Sequence, residues 1–215
     1  GCHGSHRVVG ESSKIAMPEC GIGLIPDVGG TLMLALAPGR LGEYLGISGA
    51  RMGPGDAIHA GFADHYIPEG KWADLIEMLE ASGDPAHVES HAAAEPEGEL
   101  KAMQGEIDRH FGGETLGDIL TSLRGDEGEF ATGTLKTLER NSPLSMACTI
   151  EILHRLRGPS LTIRKALELE YRFTHRSMEH GDFLEGIRAQ IIDKDRNPNW
   201  QFAGQDVPGV AVSRM

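Results

Sequence analysis

The sequence predicts a mixed α/β fold with a helical C-terminal region, and three observations carry that prediction. Short apolar runs separated by turn residues occupy the first part of the chain, while apolar residues at helical spacing dominate from about residue 69 onward. Glycine is abundant, at 29 of 215 residues, and aromatic residues make up only 5%. That balance suits a fold with many tight turns better than a β-sandwich. Strands and turns that precede a helical tail give a mixed arrangement with a helical subdomain.

Each element follows from local chemistry. Arg7-Val8-Val9 and Lys14-Ile15-Ala16-Met17 read as two short strands split by the polar cluster Glu11-Ser12-Ser13. Pro18 to Pro26 holds two prolines and two glycines and is a structured loop. Asp27 reads as a helix N-cap, because its carboxylate accepts first-turn amides, and Leu32 to Ala37 follows it. Pro38-Gly39 ends that helix, and a second spans Leu41 to Ile47. Residues 48–52 read as a turn and short strand. A short helix led by Gly55-Asp56 is capped by Gly61, and Phe62 to Ile67 reads as another strand.

Helices are expected over Lys71 to Ala81, Glu99 to Phe111, Leu116 to Leu123 and Phe130 to Glu139, with residues 83–98 as a polar linker. Ser142-Pro143 is a strong helix start: a capping serine, then proline in the first turn. Gly158-Pro159-Ser160 interrupts the pattern. A long helix follows with Ile163, Leu167 and Tyr171 on one stripe, then a last helix over Phe183 to Ile192, and Pro198 and the Gly-rich tail end the order. Three regions result: residues 1–68, the α/β core; 69–141, a helical insertion or linker; and 142–202, a helical C-terminal region.

Composition excludes several functions. The net charge is -12 and the pI about 5.2, so there is no basic stripe to displace counterions from nucleic acid. The acidity suits a soluble cytoplasmic protein. The three cysteines, Cys2, Cys20 and Cys148, are widely spaced and form no CxxC pair, so reduced thiols are expected. No apolar run reaches the roughly 20 residues of a membrane helix. His3/His6 and His87/His91 have helical spacings but too few companion ligands for a metal site. The chain opens on Gly1 in what reads as mid-domain sequence, so an N-terminal portion is expected before it.

The residues best placed for chemistry are Glu19 and Asp27. Each follows a proline, one after a strand and one before a helix, where flanking elements hold a side chain rigidly. Two carboxylates facing one pocket would repel, raising one pKa and separating their roles. Taken as bare residues, a capping Asp27 and a solvated Glu19 are the simpler account of them. Gly29-Gly30 at a helix start admits close approach of a ligand to free amides, or simply makes a tight turn. Cys20 reads as a small wall residue. Lys194 reads as a surface charge or as a candidate phosphate contact.

Several stretches resemble the crotonase superfamily, most closely its 3-hydroxyisobutyryl-CoA hydrolase branch. They are Gly4 to Val9, Ala16-Met17-Pro18-Glu19, Ile22 to Thr31, Ser142 to Ser145, Glu170 to Phe173, Asp182 to Ala189 and Ile192 to Trp200. The resemblance implies a crotonase-like (ClpP/crotonase) spiral fold, here incomplete. Hydratases of this superfamily carry a counterpart of Glu19 but a glycine at the Asp27 position; the hydrolases carry both acids. It implies hydrolysis of a short 3-hydroxyacyl-CoA thioester in valine breakdown. Glu19 would attack the thioester or activate water, and Asp27 would bind the 3-hydroxyl. It implies no metal or cofactor beyond the CoA of the substrate, a candidate CoA contact at Lys194, and a homo-oligomer as the only macromolecular partner. The oxyanion amides of the superfamily come from loops preceding this segment, so the chain alone is expected to be poorly active. An enoyl-CoA hydratase or isomerase and a non-catalytic fragment stay open as alternatives.

Overall fold

The computed structural model describes residues 1–204 and 207–215. In chain order these form β1 (Val8–Val9), α1 (Gly30–Leu36), α2 (Leu41–Ser48), α3 (Pro54–His59), β2 (His65–Tyr66), α4 (Trp72–Ser82), α5 (Ala86–His91) and α6 (Leu100–His110). Then come α7 (Leu116–Arg124), α8 (Glu129–Leu138), α9 (Pro143–Leu156), α10 (Ile163–His180), α11 (Phe183–Ile187), a π-helical turn (Arg188–Ile192) and α12 (Gly209–Arg214). The chain divides into two compact units. One comprises Gly1–Ala16 and Arg51–Gln104, the other Met17–Ala50 and Gly105–Met215.

In the first unit β1 and β2 pair in parallel, Val8 opposite His65 and Val9 opposite Tyr66. The Ile67 amide still donates to the Val9 carbonyl at 2.9 Å. The next residue is Pro68, which has no amide hydrogen, so the ladder stops there. Lys14 to Met17 and Ser48 to Met52, both expected to contain strand, contribute only the antiparallel bridge Ile15–Met52. Ile67, Leu75 and Val88 form a small core, with Val8, Trp72 and Leu79 packed on it. That core explains α5, which lies inside the stretch expected to be a linker: its Val88 is an apolar anchor in otherwise polar sequence. Its His91 is buried, with one ring nitrogen 2.7 Å from the His87 carbonyl and the other 3.1 Å from Asp74.

In the second unit α1, α2 and α9 pack on one another. Gly42 permits the α1–α2 approach, since a Cβ there would lie 2.0 Å from the Leu34 carbonyl oxygen. The core joins Ile25, Leu144, Cys148, Ile152 and Leu156 to Ala166, Leu169 and Phe173 of α10. Burying each of the larger side chains stabilises the unit by about 1.5–3 kcal/mol. As predicted, α9 starts at Ser142, whose hydroxyl accepts the Ser145 amide at 3.1 Å, with Pro143 next. Glu43 is fully buried at the α2–α9 contact, yet its carboxylate meets Arg40 at 2.9 Å and Arg157 at 2.7 Å. A buried acid tolerates its lost hydration when donors surround it in this way.

The structure orients one expected feature and corrects another. The stripe Ile163, Leu167 and Tyr171 of α10 faces solvent, Tyr171 at 71% exposure. The buried face is Ala166, Leu169, Glu170, Phe173 and Ser177, which has the same period but a different phase and contains a charge. The tail after Pro198 is also not the end of order. Val210, Ala211 and Val212 form α12, which packs on α9, and Met215 joins the core at 7% exposure. Six residues are too few for periodicity to announce a helix.

Candidate active site

Glu19 begins a one-turn 3-10 helix, Glu19–Ile22, closed by Gly23 at φ 78. Proline before it and a left-handed glycine after it make this turn out of a sequence that cannot continue as an α-helix. Residues far along the chain clamp it. The Ser142 amide donates to the Cys20 carbonyl at 2.9 Å, and the Ser142 hydroxyl donates to Asp182 at 2.6 Å. The other Asp182 oxygen accepts the Gln201 amide at 3.0 Å. A Cβ on Gly23 would lie 2.5 Å from the Asp182 carbonyl, and one on Gly186 would lie 2.0 Å from the Ile22 carbonyl oxygen. The downstream motifs around Ser142 and Asp182 to Gly186 thus seat the turn that carries Glu19.

The Glu19 side chain is half-buried. Among the described residues its Oε2 is buried with no hydrogen-bond partner. Burial pushes its pKa up to about 7; a backbone amide of its own turn pulls down, and the negative charge of Asp27 adds to the rise. The structure therefore places Glu19 and Asp27 within electrostatic reach of each other, on the same compact unit.

Asp27 does not cap α1. Its carbonyl accepts the Gly30 amide at 2.7 Å, and its carboxylate turns to its own amide rather than to those of the helix. The cap position is Gly29, at φ 80, and Val28 before it sits at φ 55 with 78% exposure. The capping carboxylate is Glu170 of α10, 3% exposed. It accepts the Gly29 amide at 2.8 Å, the Thr31 amide at 3.1 Å and, in a short bond, the Thr31 hydroxyl. The amides that the sequence offered to a ligand are thus already held by the protein's own acid. Asp27 is half-buried, and its pKa is raised, first by burial and then by the Glu170 charge.

The other candidates separate from this pair. Cys20 is buried, its thiol 3.4 Å from the Gly46 carbonyl and its pKa pushed up to about 12 by burial, so it stays protonated at neutral pH. Lys194 lies at φ 57 on an exposed loop rather than in the turn that bears the acids. Arg188 organises that loop, binding Glu185 through two nitrogens at 2.8 and 2.9 Å, Asp193 at 2.8 Å, Asp195 at 2.7 Å and the Asn197 carbonyl at 3.1 Å. A cavity of about 320 Å³, lined in part by Glu114, Leu116, Ile150 and Val212, contains neither Glu19 nor Asp27.

Sequence reasoning missed two clusters. Glu170 stood only within the stretch Glu170 to Phe173, with no role of its own. The second cluster is Glu106, His110 and Asp126, whose ligand atoms lie within 4.8 Å of one another. The Arg109 guanidinium already lies among them, 2.9 Å from the His110 ring and in short contact with Asp126. The signal was Glu106/His110 at i,i+4; Asp126 was too distant in sequence to join them.

Comparison with known proteins places the chain in a family. The 3-hydroxyisobutyryl-CoA hydrolase, mitochondrial, of Rattus norvegicus is 38% identical over 212 residues, covering 94% of this chain and 54% of the rat protein. The human protein of the same name is 36% identical with the same coverage. The chain thus spans about half the length of the curated relatives it matches. Among solved structures, an enoyl-CoA hydratase from Rhodobacter sphaeroides 2.4.1 superimposes with a TM-score of 0.92 at 55% identity, covering all of this chain and 62% of its own. A carnitinyl-CoA dehydratase from Mycobacterium thermoresistibile gives a TM-score of 0.90 at 37% identity. The expected crotonase-like fold is therefore present, largely helical here and with little strand. The enoyl-CoA hydratase/isomerase family is matched over residues 1–214, and with that match and those relatives the chain belongs to this family.

Proposed function

We propose that the protein carrying this chain hydrolyses a short 3-hydroxyacyl-CoA thioester, 3-hydroxyisobutyryl-CoA to 3-hydroxyisobutyrate and CoA, as in valine breakdown. The observation that carries the reading is Glu19: a buried carboxylate oxygen without a partner among the described residues, a pKa near neutrality, and a second acid within electrostatic reach. A general base or nucleophile is best served by a pKa close to the working pH. As base, Glu19 takes a proton from water while the water oxygen attacks the thioester carbonyl. The C–S bond then breaks and the proton passes to the departing thiolate. As nucleophile, its carboxylate forms a mixed anhydride with release of CoA, and water then hydrolyses the anhydride. Asp27 binds the 3-hydroxyl, and Lys194 contacts a CoA phosphate. The substrate's CoA is the only cofactor, and a homo-oligomer the only macromolecular partner.

The relatives named hydrolases support this reading, as does the pairing of both acids. Those relatives are named mitochondrial; a cytoplasmic location for this protein rests on its charge alone. No helix among the described residues is long and apolar enough to cross a membrane.

A second reading, hydration or isomerisation of an enoyl-CoA, is favoured by the 55% identity to the Rhodobacter protein described as a hydratase. One assay on the protein at its natural length separates the two. Thiol release from 3-hydroxyisobutyryl-CoA with no change in the enoyl absorbance of crotonyl-CoA is expected. Loss of enoyl absorbance without thiol release replaces the hydrolase reading with the second.

A further inference from the structure

An acid placed just before a helix ordinarily folds back onto the first-turn amides, and Asp27 has the position to do so. In this structure the place is taken. Glu170 reaches it from α10, 97% buried by its 3% exposure, and accepts three hydrogen bonds from Gly29 and Thr31. Donors and the N-terminal end of the helix surround that carboxylate. Between the two fixed points, the Asp27 carbonyl bonded to Gly30 and the Gly29 amide bonded to Glu170, Val28 is held at φ 55. A β-branched residue rarely adopts that conformation, and it persists where the surroundings over-determine it.

We propose that Glu170 is a positioning residue of the active site: by capping α1 in place of Asp27, it leaves the Asp27 carboxylate available to the 3-hydroxyl of the bound acyl group. The inference deepens the hydrolase reading above and rests on it. Glu170 touches no substrate. It acts through the Asp27–Gly29 segment, and its removal lets Asp27 turn to the vacated amides.

The test is Glu170→Gln in the protein at its natural length. Glutamine keeps the shape, but its NH2 group faces donors. The readout is the ratio of kcat/KM for 3-hydroxyisobutyryl-CoA over isobutyryl-CoA, which lacks the hydroxyl. A fall in this ratio of about tenfold or more is expected, the scale on which a site loses discrimination when a polar contact to substrate is lost. A merely stabilising carboxylate would lower the melting temperature and leave the ratio unchanged, and that result overturns the proposal. Should Glu170→Gln fail to fold, Thr31→Val removes only the hydroxyl donor; a smaller fall in the same ratio supports the proposal and an unchanged ratio overturns it. An arm independent of catalysis is the 13C titration of the Asp27 carboxyl, assigned by Asp27→Asn. The charged groups bearing on Asp27 are Glu170 from α10 and Glu19 from the turn. Removing the Glu170 charge should move the Asp27 midpoint down, and an unmoved midpoint counts against positioning. If the wild-type protein hydrolyses neither ester, the hydrolase reading fails, and this titration alone decides whether Glu170 governs Asp27.

Discussion

Glu19 carries the cost of an acid placed where water reaches it poorly. Its pKa rises from 4.5 to about 7, so the folded protein holds a proton that the unfolded chain releases. The sign follows from linkage: between those two values the native state binds more protons, so stability falls as pH rises through the interval. Glu19→Gln removes that loss. We expect the variant to gain about 1–2 kcal/mol over wild type at pH 8, a figure reduced for partial exposure, and little or nothing at pH 4. Urea unfolding at the two pH values checks this. On the proposed mechanism the same group acts ionised, so wild-type kcat/KM should rise with pH through an acid limb near 7, and Glu19→Gln should lose about 100- to 10,000-fold in turnover.

At the level of elements, the turn that carries Glu19 owes its shape to helices α9 and α11. Ser142→Ala removes both the α9 cap and the donor to Asp182, leaving a buried carboxylate oxygen short of a partner. A loss of about 2–4 kcal/mol in chemical denaturation is expected, more than a cap alone explains. The loop of residues 193–199 depends on one guanidinium, so Arg188→Lys, which cannot reach four carboxylate and carbonyl partners in a planar fork, should raise amide exchange and protease cleavage there while α9 stays protected. This scale also shows what was legible. The proline and glycine punctuation located α2 and α3, and Ser142-Pro143 located α9, because those signals are local. The phase of α10, the α5 anchor at Val88 and α12 were not legible, because each is decided by what it packs against. The same holds for the site. Glu19 and Asp27 stood out through their flanking prolines, whereas the capping acid Glu170 lies more than a hundred residues from the amides it holds.

The molecule as a whole sets opposing acids against each other. Asp64, beside Arg7, is held down at about 2, and Glu43, though burial alone would raise it, is lowered by His154, Arg157 and Arg40. Such groups contribute stability above their unfolded pKa values and lose it as pH falls through the folded ones, whereas the Glu19 contribution is lost as pH rises toward 7. The melting temperature should therefore peak on the acid side of neutrality, at about pH 5, and a monotonic rise from pH 5 to 8 would refute this balance. The seating of the Glu19 turn against Gly186 has a consequence in time. Ile22 and its seat are separated by about 160 positions, so at ribosomal speeds of about 5–20 residues per second the turn waits about 10–30 s for its clamp to be synthesised. Until Gly186 has left the exit tunnel, the nascent chain holds Glu19 but no seat for the turn that carries it.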